Sequence, residues 1–446
     1  MFKNKIYSAI GAALMAAAAL SSCTSYEIEM PENPAPPVEG PEVSSTVVFQ
    51  ANPRFYGTAD CLKALTADIP AIAELGTDIL WVMPVCDPGA DATSIGSPYC
   101  IRDFKAVNAK YGTMGDFKAM VDAAHREGMK VMLDWIANHT SWDHPWITSA
   151  PERYAKDGGG NIASANGWTD VAQLNYSEPS TGEAMADAML FWVEEGGIDG
   201  FRCDYADGVP HEFWQSFISR ARAAHPGLLM LAETSDASFY ADGFDMIYDW
   251  KFSPAVSSAF NGGKVSDIFV KSQESLKKVP EGKDILRYAF NHDTAAENNV
   301  ATYFGTREGT PGAYVLSGML GGTPMIYSSM LTDNLSGTLS FFAYRELERS
   351  AELFARYKAI NRAFKETAQV RRGTLKTYPD NKVAAFTRSI PGHTLLVMVN
   401  TSREECTIKT PIALAGERMT DLLTGAEVIP DAALTLAPYE YIIYMN

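Results

Sequence analysis

The chain has 446 residues, enough for a large core and for more than one domain. With 46% hydrophobic and 20% charged residues it has the composition of a globular protein, not of a disordered or fibrous one. A formal net charge of −17 excludes nucleic acid and anionic membrane as electrostatic partners and suits an exported protein acting on a neutral substrate.

Residues 1–22 read as an export signal. Lys3 and Lys5 form a basic start, and Ile10 to Leu20 is an apolar run too short to span a bilayer. The run closes on Leu20-Ser-Ser-Cys23, which resembles a bacterial lipobox. Lipidation of Cys23 would anchor the chain through its N-terminus alone, and the expected location is the cell envelope, as an outer-membrane lipoprotein that is periplasmic or surface-exposed. Residues 23–45, rich in Pro and Glu without an apolar period, read as an extended tether. Among the other cysteines, Cys86 and Cys100 bracket one loop and can pair in such a compartment, and no spacing fits a zinc motif.

From Thr46 strand and helix patterns alternate. Strands are predicted at Val47–Ala51, Asp78–Met83, Lys130–Asp134, Gly196–Asp204, Leu228–Glu233, Phe244–Tyr248, Ile285–Asn291 and Pro324–Tyr327. Helices are predicted between them, among others over Leu62–Leu75, Asp116–Glu127, Thr181–Glu194 and His211–Ala224. One stretch, Trp142–Glu178, breaks the rhythm with Gly, Pro and Trp but no period, and reads as a structureless functional insertion. Eight strand–helix units over about 315 residues predict parallel strands closed as a (β/α)8 TIM barrel. The alternative, an open doubly wound sheet, lacks a Gly-x-Gly-x-x-Gly after its first strand. The barrel is expected over residues 46–369, with a short domain B insertion at about 140–178. Residues 370–446, whose short strands are separated by Gly, Asn and Pro turns, are expected to form a C-terminal antiparallel β-sandwich.

Active sites of such barrels lie at the C-terminal ends of the strands. Those ends carry Asp134 with Asn138-His139, Arg202 with Asp204, Glu233, and Asn291-His292-Asp293. Side chains alternate along a strand, so Arg202 and Asp204 share one face and Phe201 and Cys203 the other. An arginine beside Asp204 keeps that carboxylate ionised, whereas Glu233 follows an apolar run with no cation near it in sequence. Two carboxyls in unlike environments suit glycoside hydrolysis, with Asp204 as nucleophile and Glu233 as acid/base.

Asp134-Trp-Ile-Ala-Asn-His139, Gly200-Phe-Arg-Cys-Asp204, Ala232-Glu233 and Asn291-His-Asp293 resemble, in order, the four signature regions of the α-amylase family, glycoside hydrolase family 13. Ser97-Pro-Tyr99, Tyr111-Gly-Thr113, Gln173-Leu-Asn175 and Gly322-Thr-Pro324 add to the likeness. The resemblance implies that Asp204, Glu233 and Asp293 are catalytic and that Tyr99, His139, Arg202 and His292 bind substrate. It implies a structural Ca2+ held by Asn138 and an aspartate of domain B, either Asp157 or Asp170. The implied partner is an α-glucan, and the implied reaction is retaining cleavage of α-1,4-glucosidic bonds in starch-like substrates. Neopullulanase, cyclomaltodextrinase and transglycosylase activities remain alternatives, as does a non-catalytic glucan-binding lipoprotein. There are two departures: Tyr205-Ala-Asp-Gly208 stands where starch-cleaving members carry Lys-His, which bears on the leaving-group side, and Tyr327-Ser-Ser lacks the usual Gly-Gln or Gly-Glu.

Overall fold

A computed structural model describes residues 45–94, 96–333 and 337–446. The export signal, Cys23 and the tether as far as residue 44 lie outside the described residues. Eight strands close a barrel: β1 (Val48–Ala51), β2 (Ile79–Val82), β3 (Lys130–Ile136), β4 (Gly200–Asp204), β5 (Leu229–Ala232), β6 (Met246–Tyr248), β7 (Asp284–Tyr288) and β8 (Thr323–Tyr327). Neighbouring strands are parallel and follow chain order, and β8 pairs with β1 through Val48 and Met325.

The strands read as unbroken apolar runs because both faces are buried. Val48, Trp81, Met132, Leu231, Met246, Tyr248, Leu286 and Met325 fill the barrel. Their neighbours, such as Phe49, Leu133, Phe201, Cys203 and Ile247, pack outward under the helices. The alternation expected at β4 holds: Phe201 and Cys203 join the outer core, while Arg202 is wholly buried with its guanidinium among the inner groups.

The strands are shorter than the sequence suggests. β4 begins at Gly200, because Gly197 before it takes φ +74 in a turn, and β7 ends at Tyr288. The structureless reading of Trp142–Glu178 is corrected. A three-stranded sheet of His139–Thr140, Ser164–Ala165 and Trp168–Gln173 runs through it, with a short helix at Trp146–Ser149. Strands of two residues leave no period to detect. A hairpin of Cys86–Pro88 and Ile101–Val107 also rises from the loop after β2. Cys86 and Cys100, which bracket that loop, are both free and buried, so the pairing considered from sequence does not form.

The C-terminal part holds a six-stranded sheet and a two-stranded sheet. Along the central hairpin of Val383–Ile390 and His393–Asn400, Phe386, Leu395, Val397 and Val399 belong to the core shared with the barrel. Val383, Ala385, Leu396 and Met398 face a second core, with Ile408 and Leu436 from the smaller sheet. Among the described residues no helix is long and apolar enough to cross a membrane.

Candidate active site

Arg202 is the centre of the site. It leaves β4 into the barrel interior, where its Nη1 lies 2.7 Å from Asp134 Oδ1 and 2.7 Å from Asp204 Oδ1. Its Nε donates to Tyr248 Oη at 3.2 Å, and Trp81 and Tyr248 present their rings to the guanidinium at 5.1 and 5.7 Å. Nη2 approaches Glu233 Oε1 to 2.7 Å, but its geometry is that of an ion contact and not of a hydrogen bond. One buried guanidinium therefore serves three carboxylates.

That arrangement corrects the sequence argument about Glu233. The cation absent from its sequence neighbourhood arrives from β4, so Asp204 and Glu233 share it. The unlike environments have another source. Burial pushes the Glu233 carboxyl well above the usual carboxylate range; Arg202 opposes this, and the charges of Asp204 and Asp293 add to it. Its Oε2 accepts the backbone N–H of Tyr205 at 2.7 Å, and Tyr205 holds a left-handed conformation at φ 41. The loops after β4 and β5 are tied again by Thr234 Oγ1, which donates to Asp207 Oδ1 at 2.8 Å. Gly208 is required in this turn: a Cβ there would sit 2.4 Å from Asn138 Oδ1 and 2.5 Å from the Tyr205 ring.

Asp134 sits deeper and is fully buried. Its Oδ2 accepts from Trp81 Nε1 and from Tyr99 Oη, each at 3.2 Å, so it orients the site from below and does not face the cleft. Tyr99 stacks on His292 with ring centres 5.6 Å apart, and Phe341 closes against both at 5.5 Å. His292 is buried, and burial pushes its imidazole down to about 4, so it is neutral near pH 7. Its Nδ1 lies 2.7 Å from Gln50 Nε2, and its Nε2 faces Asp293 Oδ1 at 3.4 Å. Asn291 caps the helix that follows, its Oδ1 accepting from Thr294 N at 2.8 Å, while half-exposed Asp293 opens onto the mouth. His139, also buried and held neutral by burial, meets Trp168 edge-on at 5.8 Å.

The sequence-predicted residues Asp204, Glu233, Asp293, Tyr99, Arg202 and His292 thus gather at one mouth, with His139 reaching it through the insertion. Those missed are Gln50, Trp81, Tyr205, Tyr248 and Phe341. Gln50 had a signal, a polar residue near the end of the apolar run of β1; Phe341 had none. Of the tryptophans in the insertion, Trp168 touches site residues, His139 and Tyr205. Trp142 donates its Nε1–H to Thr169 O, and Trp146 packs among Phe104, His144 and Arg153.

Each of the donors named for calcium has a protein partner. Asn138 Oδ1 accepts from Gln173 Nε2 at 3.0 Å, and Asp157 accepts from Gly159 N and Asn161 N in its own exposed turn. Asp170 lies against Cys100 Sγ at 3.3 Å. Among the described residues no three His, Cys, Asp or Glu side chains gather as a metal cage.

Two carboxyls of unlike environment at the mouth of a parallel eight-stranded barrel define a glycoside hydrolase. Residues 51–158 and 165–330 match the catalytic domain of α-amylases, and residues 376–443 match the C-terminal domain of maltogenic amylases. Neopullulanase 2 of Thermoactinomyces vulgaris is 27% identical over 435 residues, covering 89% of this chain and 72% of that protein. The α-amylase MalA of Haloarcula japonica is 27% identical over 380 residues, covering 81% of this chain and 55% of that one. A solved α-amylase from Lactobacillus plantarum superposes with a TM-score of 0.80 at 26% identity, over 91% of this chain and 99% of its own. The chain belongs to the α-amylase family, glycoside hydrolase family 13.

Proposed function

We propose that this enzyme cleaves α-1,4-glucosidic bonds of starch-like α-glucans with retention of configuration. The supporting observation is the Arg202 guanidinium, 2.7 Å from a carboxylate oxygen of both Asp204 and Glu233. Two carboxylates held by one guanidinium are close enough for the ~5 Å of a retaining pair. Asp204 attacks the anomeric carbon, and Glu233, kept protonated by burial, gives its proton to the leaving oxygen. A covalent glycosyl–Asp204 ester results. Glu233, now ionised, takes a proton from water, which attacks the same carbon and frees Asp204. Asp293 and His292 grip the hydroxyls of the reacting sugar, Tyr99 lies on its apolar face, and His139 reaches its far edge.

A second reading, neopullulanase or cyclomaltodextrinase, is favoured by the match of residues 376–443 to a maltogenic-amylase domain and by the likeness to neopullulanase 2. Time courses on soluble starch, pullulan and cyclodextrins separate the two. Early mixed oligosaccharides from starch support the α-amylase reading. Panose from pullulan or rapid ring opening supports the second. Glucan binding without products from any of the three would leave a binding lipoprotein. Anchoring through a lipidated Cys23 is proposed on the lipobox motif alone, and Cys23→Ser should release the protein from the membrane fraction.

A further inference from the structure

Among the described residues six large hydrophobic side chains stand open to solvent: Trp168, Trp250, Val270, Phe342, Ile412 and Ile429. Trp168 opens a strand of the insertion after β3, and Trp250 and Phe342 lie on the segments after β6 and β8, all following the strand ends that carry the carboxylates. Scattered exposed side chains need no explanation, but three aromatic rings on one rim do.

Trp250, 37% exposed, is held by two neighbouring rings. Its ring stacks on Tyr248 with centres 5.1 Å apart and planes 28° apart, and meets the edge of Tyr288 at 6.2 Å. Tyr248 is wholly buried and accepts from Arg202 Nε, so two rings connect the catalytic guanidinium to the rim. The backbone between them is pinned by Asp249, which is buried. Asp249 Oδ2 accepts from Arg287 Nε at 2.9 Å, and its Oδ1 accepts from Ser275 Oγ at 2.6 Å and Phe252 N at 3.2 Å. A tryptophan fixed on one face and open on the other is a preorganised platform, and little freedom is left to lose on binding. A pyranose presents an apolar face of C–H bonds, slightly positive at hydrogen, which complements the negative face of an indole.

Its place on the barrel tells which sugar it takes. Tyr99, from the loop after β2, marks the pocket of the reacting sugar; β6 lies four strands away in the closed order of eight, across the mouth. β6 also stands between β5, which ends before Glu233, and β7, which precedes Asp293. With the reacting sugar on Tyr99, as proposed above, the barrel order puts β6 on the far side of Glu233 from that sugar. We infer that Trp250 is the platform for a glucose unit on the leaving-group side, and so sets the preference for glucan over small leaving groups. This rests on the reading of Asp204 and Glu233 above.

The test compares two substrates of the full-length protein. α-Maltosyl fluoride has a leaving group too small to reach Trp250, whereas maltohexaose spans the cleft. In Trp250→Ala, kcat/KM for maltohexaose should fall about tenfold, the worth of one stacked ring. Turnover of the fluoride should stay within about twofold, and Trp250→Phe should recover much of the loss. Equal loss on both substrates, or none on maltohexaose, overturns the platform. A wild type that turns over neither substrate overturns the reading of function. Calorimetric titration of maltohexaose into wild type and Trp250→Ala then decides the platform alone: weaker binding by the variant sustains it, and equal affinity removes it.

Discussion

Tyr205 donates its backbone N–H to Glu233 Oε2 across 2.7 Å from a left-handed conformation, φ 41 and ψ 54. A residue with a Cβ adopts that conformation at a cost of about 1–2 kcal/mol, and the gain is a donor aimed at the acid/base. Glycine carries no such cost. Tyr205→Gly should therefore be more stable to urea than Tyr205→Ala by about 1 kcal/mol, although both lack the ring that packs against Trp168. Equal stability of the two variants would show that the turn is unstrained.

Glu233→Gln should lose activity by about 10²–10⁴-fold, the range for removing a general acid. Its stability carries a second, independent signature. A carboxyl held above its ordinary range stays protonated in the folded protein at pH values where the unfolded chain has already ionised. Its contribution to stability is full below the unfolded pKa and is lost as pH rises through the folded one. Glutamine mimics the protonated form at every pH. The variant should match wild type near pH 4 and exceed it at pH 8 in urea denaturation. A gap that does not change with pH would contradict burial as the cause of the shift.

Arg202→Met should be the most damaging single change at the site. It strips the cation from Asp134, which is fully buried, as well as from Asp204 and Glu233. Breaking a buried pair by removing one partner costs about 3–5 kcal/mol, because a charge is left without compensation. Denaturant titration should show that loss. A drop below about 1 kcal/mol would mean that Trp81 and Tyr99 suffice to hold Asp134.

Much of this was readable beforehand because strand ends carry their chemistry next to an apolar run. Asp134, Arg202 with Asp204, Glu233 and Asn291-His292-Asp293 each sit where a strand surfaces, so pattern and chemistry coincide. What sequence hid are relations between strands. Arg202 reaches Glu233 because β4 pairs with β5, and no spacing along the chain encodes that closeness. Domain B hid its sheet because its strands are as short as two residues, where alternation has no length in which to appear. Phe341 belongs to the loop after β8 and reaches Tyr99 only through tertiary packing.

Gln50 is the polar residue within the apolar run of β1. It is wholly buried, and its Nε2 lies 2.7 Å from His292 Nδ1, the ring against which Tyr99 stacks. Gln50→Leu keeps the volume and removes the contact, freeing the imidazole to turn away from Asp293. The loss expected is that of one buried hydrogen bond, about 1–1.5 kcal/mol, or roughly fivefold to tenfold in kcat/KM on maltohexaose. Gln50 acts through His292 and touches no sugar, so His292→Ala should mask it. In that background Gln50→Leu should change kcat/KM by less than about twofold. If the two losses add in full, Gln50 supports the site by some route other than His292.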